Sequence, residues 1–196
     1  TDYAKIKEDA TVSEHAKIII RDLRNAAALE IYIATGDSKW HDIFLADTVF
    51  THKRVAIYDY NVHDQRQAAY RYARLDASMV NEDIQKNCCQ AIVLEANTCL
   101  RFIENNAFNV CYERDPGQPI VCGYVSAPQG SYLAQAYVLT GADKFKTGLQ
   151  KAAAYSAGAN PMNKTFMVGL GYDYPRDAFK IDARITGQDM PIGTLI

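Results

Sequence analysis

Four aspartates near the end of the chain, Asp173, Asp177, Asp182 and Asp189, stand in a stretch interrupted by Gly and Pro, with Lys180 and Arg184 among them. Two carboxyl groups about 6.5–9.5 Å apart can divide acid–base work, one protonating a leaving oxygen while the other activates water. Aspartate also caps helices and closes turns, so the cluster has a purely structural reading beside the chemical one. Aromatic rings are the second candidate. The chain holds 13 Tyr beside 7 Phe and a single Trp, and tyrosine joins a flat apolar face to a hydroxyl that hydrogen-bonds. Tyr124, Tyr172 and Tyr174 fall in expected loops, where clefts are built, and binding and plain packing are both open for them. Tyr32, Tyr72, Tyr137 and Tyr155 sit at helical positions and are expected in the core.

Other chemistries find little support. His15, His41, His52 and His63 lack metal-ligand spacing and are expected to be solvated. Cys88, Cys89, Cys99, Cys111 and Cys122 form no C-x-x-C pair, so no metal site is expected. The odd count points to reduced thiols, while Cys111 and Cys122 flank a turn-rich segment and could pair in an oxidising compartment. No nucleophile elbow, phosphate loop or dinucleotide fingerprint occurs, and no cofactor is expected. Lys and Arg number 21 against 23 Asp and Glu, without the basic excess of a nucleic-acid binder. Apolar runs are a handful of residues long, far short of the ~20 a membrane span needs. The first residues carry no basic segment followed by an apolar one, so no signal sequence is read there.

The elements that must position these residues are helical. From Ala16 to Ala34 apolar residues recur every three or four positions (Ile19, Ile20, Leu23, Ala26, Ala27, Ile31), with Lys17, Arg21 and Arg24 on the opposite stripe. That pattern predicts an amphipathic helix burying the apolar stripe. It ends at Thr35-Gly36 through a left-handed glycine, and Ser38 is the expected N-cap of a second helix carrying Trp40, Ile43 and Phe44. Further helices are expected over Gln65–Asp76 and over Glu82–Asn105. The second of these has a core stripe of Cys88, Ile92, Ala96, Cys99 and Ile103, broadened by Leu94, Leu100 and Phe102. Two more follow, at about Ser131–Leu139 and Lys144–Ser156. Asp115–Pro119 is a turn by composition, Cys122–Gly130 a loop, and Gly158–Ile196 a set of long ordered loops.

One repeat is visible. Ile31–Trp40 aligns with Ala136–Phe145 at a constant offset of 105, with Tyr32/Tyr137, Thr35/Thr140, Gly36/Gly141 and Lys39/Lys144 identical. Ser38 and Asp143 fall in the same place as expected N-caps. Two copies of one helix–turn–helix unit suggest hairpins set around a common axis, as in helical solenoids or closed toroids.

The order Tyr137-x-x-Thr140-Gly141, Ala157-Gly158-Ala159-Asn160-Pro161, Thr165–Gly171 (Thr-Phe-Met-Val-Gly-Leu-Gly) and Pro175 resembles glycoside hydrolase family nine, cellulases built as a barrel of six helical hairpins. Gly123–Tyr132 is similar to the family's substrate-side loop, with Tyr124 where tryptophan is common. The resemblance covers roughly residues 20–196, and its specific part runs from about 123 to 193. It implies an all-α fold: antiparallel hairpins forming part of an (α/α) toroid, with long C-terminal loops, and residues 1–196 as one partial catalytic domain.

Three departures from the family pattern shape what the resemblance implies. Phe179–Arg184 stands where paired histidines and an arginine are expected, leaving Arg184 as the match and Lys180 near a histidine position. No Asp-Ala-Gly-Asp-like motif is present to supply the general base. No Glu follows Glu113 to act as the general acid. The chain therefore looks like an internal or C-terminal-side piece of a longer domain, with no catalytic residue of its own. Its partners are expected to be an oligo- or polysaccharide, and either the remainder of its domain or another copy of itself. Substrate contacts are expected from Tyr124, Tyr172, Lys180, Asp182 and Arg184, sugar rings packing on the aromatic faces. The activity implied is inverting β-glycoside hydrolysis, most simply endo-β-1,4-glucanase, with an extracellular or periplasmic setting, against which the odd cysteine count points to the cytoplasm. Two alternatives stand beside it: a non-catalytic carbohydrate-binding or scaffold fragment, and an unrelated toroid enzyme such as a polysaccharide lyase.

Overall fold

The computed structural model describes residues 3–59, 61–111, 130–174 and 181–194, without the side chains of Ile181 and Asp182. Eight α-helices are found there: α1 (Tyr3–Glu8), α2 (Glu14–Thr35), α3 (Ser38–Asp47), α4 (Arg66–Ala73), α5 (Glu82–Glu104), α6 (Ser131–Thr140), α7 (Asp143–Ser156) and α8 (Ile181–Thr186). A 3₁₀ turn at Ala77–Met79 precedes α5. Among the described residues no strand forms, and the single β-bridge joins Asp59 to His63. The architecture is all-α hairpins, as expected. Helices α1 and α8 are additions to the expected set, and α8 interrupts a tail read as loop throughout. The Asp115–Pro119 turn and Cys122, with its pairing to Cys111, lie outside the described residues.

The chain divides into two compact units, Thr1–Leu94 and Glu95–Ile196. In the first, α2 packs on α3 and α4; in the second, α6 packs on α7. Each hairpin turns in two residues, which forces its helices to run antiparallel. The turns agree atom by atom. Thr35 Oγ1 donates to Ile31 O (2.8 Å) and accepts from Asp37 N–H (3.2 Å); Thr140 Oγ1 does the same with Ala136 O (2.7 Å) and Ala142 N–H (3.2 Å). Gly36 (φ 70°) and Gly141 (φ 67°) each donate to the tyrosine carbonyl four residues back, both at 2.8 Å. The repeat is thus a threonine–glycine closure that uses a side chain and a left-handed residue together. The caps differ from expectation. Asp37, not Ser38, caps α3 by accepting from Lys39 N–H (3.0 Å), and α7 starts from Ala142 with no side-chain cap, Asp143 falling in its first turn.

Helix α5 buries the expected stripe: Cys88, Ile92, Ala96, Cys99 and Ile103 are all inaccessible, although Leu94 points outward. Helix α2 reverses its expected face. Ile19 and Leu23 are 46% and 66% exposed, while Asp22, Asn25, Leu29 and Tyr32 are buried. The i, i+3, i+7, i+10 spacing of this second set is equally helical. Its polar members are held inside by hydrogen bonds: Asp22 accepts four, and Asn25 Nδ2 donates to Phe44 O at 2.9 Å, while Asn25 Oδ1 has no partner among the described residues. Leu29, Phe44, Ala69 and Tyr72 close the core of the first unit. In the second, Gly148 carries no side chain where Leu100 and Leu133 crowd α7; a Cβ there would lie 2.4 Å from Leu100 Cδ2.

Candidate functional site

The first unit carries a groove of about 400 Å³, within the range of small-molecule sites. Ile18, Ile19 and Leu23 of α2 form its apolar wall, and Tyr58, His63 and Arg66 its polar one. Asp22 fixes the two walls together. Its Oδ1 accepts from Arg21 Nε (3.0 Å), Arg21 Nη2 (2.9 Å) and Gln65 Nε2 (2.8 Å), and its Oδ2 from Asp64 N–H (2.6 Å). Gln65, 2% exposed, also donates to Asp47 O (2.8 Å) and accepts from Val49 N–H (3.0 Å). Every polar atom of that amide is engaged, so Asp22 and Gln65 act as a clamp on the start of α4.

Around the rim, Arg66 grips Asp64 through two bonds of 2.8 Å and lies over the Tyr58 ring at 4.4 Å. The Arg66 side chain holds the Asp64 carboxyl below its ordinary pKa, chiefly by hydrogen bonding. His63 closes a tight turn, donating N–H to Asp59 O (2.7 Å), and packs edge-on to Phe50 with centroids 6.0 Å apart. It is buried rather than solvated, which corrects the expectation for this histidine. Burial pushes its pKa down, only partly opposed by Asp22. Its Nδ1 has no hydrogen-bond partner among the described residues. His41 is likewise packed, stacked on Tyr32 at 4.6 Å.

The tail residues are placed differently. Tyr172 is fully exposed (102%) at the end of a loop whose backbone is tied down: Thr165 N–H donates to Asp173 O (3.1 Å) and Thr165 Oγ1 to Leu170 O (2.6 Å). Asn160 bridges Tyr155 O and Lys164 O with its amide, both at 2.7 Å. Gly169 and Gly171 have φ of 76° and 74°; a Cβ on Gly169 would come within 2.8 Å of Ile192. The Asn-Pro and Gly-Leu-Gly motifs are therefore the loop's framework. Arg184 is exposed on α8, which also carries Asp182. Asp173 pairs with Lys164 at 3.5 Å and Asp189 is exposed. Tyr124, Asp177 and Lys180 lie outside the described residues. The structure thus places Tyr172 and Arg184 at the surface of one unit.

The groove residues were missed by the sequence reading. Their signal was available in α2: two polar residues, Asp22 and Asn25, in helical register with Leu29 and Tyr32. Among the described residues no group of three His, Cys, Asp or Glu side chains could hold a metal ion. No helix there is long and apolar enough to cross a membrane.

Comparison with known proteins gives these features a family. A crystal structure of a metagenome-derived glycoside hydrolase family 9 endoglucanase superposes with a TM-score of 0.69 at 21% identity, over 90% of this chain and 31% of its own. The GH family 9 endoglucanase J30 gives 0.65 at 15% identity, over 80% of this chain and 28% of its own. A Bacteroides ovatus GH9 structure gives 0.62 at 18% identity, with 80% and 28% covered. The chain spans about a third of the length of these solved structures. None of the curated proteins compared with it matches. The sequence profile of Glycosyl hydrolase family 9 matches residues 3–191, almost the whole chain. With hairpins of the same fold beneath that match, the chain belongs to glycosyl hydrolase family 9.

Proposed function

We propose that this chain is the substrate-binding, C-terminal-side part of an inverting β-glycoside hydrolase acting on β-1,4-glucans such as cellulose. The observation that carries the proposal is the family match over residues 3–191. Within it, Tyr172 offers a bare aromatic face on a braced loop, suited to the C–H face of a pyranose ring. Arg184, with Asp182 on the same helix and Tyr124 and Lys180 nearby in sequence, supplies hydrogen bonds to hydroxyls. The groove on the first unit, with one apolar wall and one polar, is a second surface of the same character.

The chemical step needs one carboxyl as acid and a second as base. Several described carboxylates are already committed: Asp22 to the clamp, Asp47 to Arg24, Asp64 to Arg66 and Asp173 to Lys164. The proposal takes the acid and base from outside residues 1–196, because the Asp-Ala-Gly-Asp-like motif is absent from them and no Glu follows Glu113; residues 1–196 then act as one part of a single catalytic domain. The same missing motifs favour a second reading, a non-catalytic carbohydrate-binding fragment. Membership of family nine sets the lyase alternative aside.

The test is hydrolysis of cello-oligosaccharides by the isolated chain and by a full-length parent carrying Tyr172→Ala, Asp182→Asn or Arg184→Ala. No turnover by the isolated chain is expected, and at least about tenfold lower kcat/KM for the Arg184 variant, the scale of one lost charged hydrogen bond. Robust turnover by the isolated chain would overturn the division of labour. Unchanged activity in all three variants would remove the tail from the substrate site. A parent that binds glucan without cleaving it would establish the binding fragment instead.

A further inference from the structure

A tyrosine hydroxyl ties the start of α5 to the core of the first unit, beside Gln85 Nε2 of the first turn, which donates to Leu75 O at 2.9 Å. Tyr72 is wholly buried, and its Oη accepts the backbone N–H of Asn81 at 2.7 Å. Asn81 is the residue from which α5 springs: its carbonyl accepts from Gln85 N–H (3.0 Å), and its Oδ1 from the N–H groups of Asp83 and Ile84, both at 3.1 Å. A second tyrosine holds the same segment, Tyr32 Oη donating to Met79 O at 2.9 Å.

The remaining partner of the Tyr72 hydroxyl is His41 Nε2, at 2.8 Å. The hydroxyl has one proton to give. With Asn81 already donating to it, the hydroxyl and Nε2 are both satisfied when Tyr72 donates to the unprotonated Nε2 of a neutral His41. A protonated His41 carries hydrogen on both nitrogens, so Nε2 must donate too. The Tyr72 proton then faces two donors and has no acceptor among the described residues, inside a core where an unmade hydrogen bond is costly. Facing His41 are Tyr32 from α2, Tyr72 from α4 and Asp42 beside it on α3; of these only Asp42 is charged near neutrality and favours protonation.

We propose that the His41–Tyr72–Asn81 chain is a proton-sensitive latch, closed when His41 is neutral and holding the first turn of α5 to the core. On acidification the Tyr72–Asn81 bond weakens and the first turn of α5 frays, while the rest of that helix stays anchored by Cys88 and Ile92. Burial lowers the His41 pKa from its ordinary value, so the latch stays closed at neutral pH. It opens as pH falls through the folded-state value, below about 6.5.

Amide hydrogen exchange on the full chain, corrected for intrinsic rates and read at Asn81, Asp83 and Ile84, tests this at pH 7.5 and pH 5. Protection at these three amides is expected to fall about five- to tenfold at the lower pH, the effect of one lost buried hydrogen bond. Amides further along α5 should change little. His41→Gln keeps a hydrogen-bonding group but cannot titrate, and should abolish the pH difference. Tyr72→Phe should expose the three amides at both pH values; if that variant fails to fold, the His41 variant decides alone. Protection in the native chain that is flat with pH would overturn the latch. So would an equal fall in His41→Gln, which would place the titrating group elsewhere.

Discussion

At the scale of single residues, the first unit depends on polar groups placed where apolar ones are usual. Asp22→Ala removes the acceptor for Arg21, Gln65 and the Asp64 amide at once. It is expected to destabilise the chain by about 3 kcal/mol, because the partners stay behind unpaired; urea denaturation of the variant measures it. His63 adds a pH dependence whose sign follows from its surroundings. Its folded pKa is held below the unfolded value of about 6.5 by burial, so the unfolded chain binds more protons in that window. Stability is therefore fully present above about pH 6.5 and declines as pH drops through the folded value. A denaturation midpoint constant from pH 7 to 8 and falling below pH 6 is expected, with a shallower fall in His63→Asn. These same residues mark where sequence alone stops being informative. Period counting treats apolar side chains as buried and charged ones as wet, so it selects Ile19 and Leu23 over Asp22 and Asn25. The choice turns on partners 19 to 43 residues away, Phe44, Asp64 and Gln65, that no local pattern displays.

At the scale of elements, legibility follows how local the cause is. The α5 stripe was readable because a buried, uniformly apolar seam is written in one helix. The hairpin turns were readable because Gly36 and Gly141 do their work within five residues. A Cβ on either would meet no atom within 4 Å, so Gly36→Ala and Gly141→Ala should each cost about 1 kcal/mol through the left-handed backbone alone. Gly169→Ala combines a positive φ with a 2.8 Å approach to Ile192, and its melting temperature should drop further than either hairpin variant. The Asn160 and Gly169–Gly171 motifs identified the family from sequence, yet in the structure they hold up the loop that ends in Tyr172. The residues that identify the chain and the tyrosine proposed to meet the sugar are thus neighbours with different tasks. Only Tyr172 and Arg184, of the five expected contacts, have described side chains, and both are at the surface.

At the scale of the whole molecule, the chain divides into two compact units at Leu94–Glu95, a boundary that falls in the sequence of α5. The chain's only tryptophan, Trp40, sits in the first unit, half-buried with the Lys39 ammonium 5.4 Å from its ring. In the second unit the matching position of the repeat is Phe145. The molecule is therefore optically one-sided. Excitation at 295 nm interrogates the Thr1–Leu94 half, whereas ellipticity at 222 nm sums the helices of both. A thermal ramp followed by both signals should give superimposable curves if the halves melt together. If they melt apart, the emission curve isolates the first unit, and Phe145→Trp in a Trp40→Phe background moves the lamp to the second.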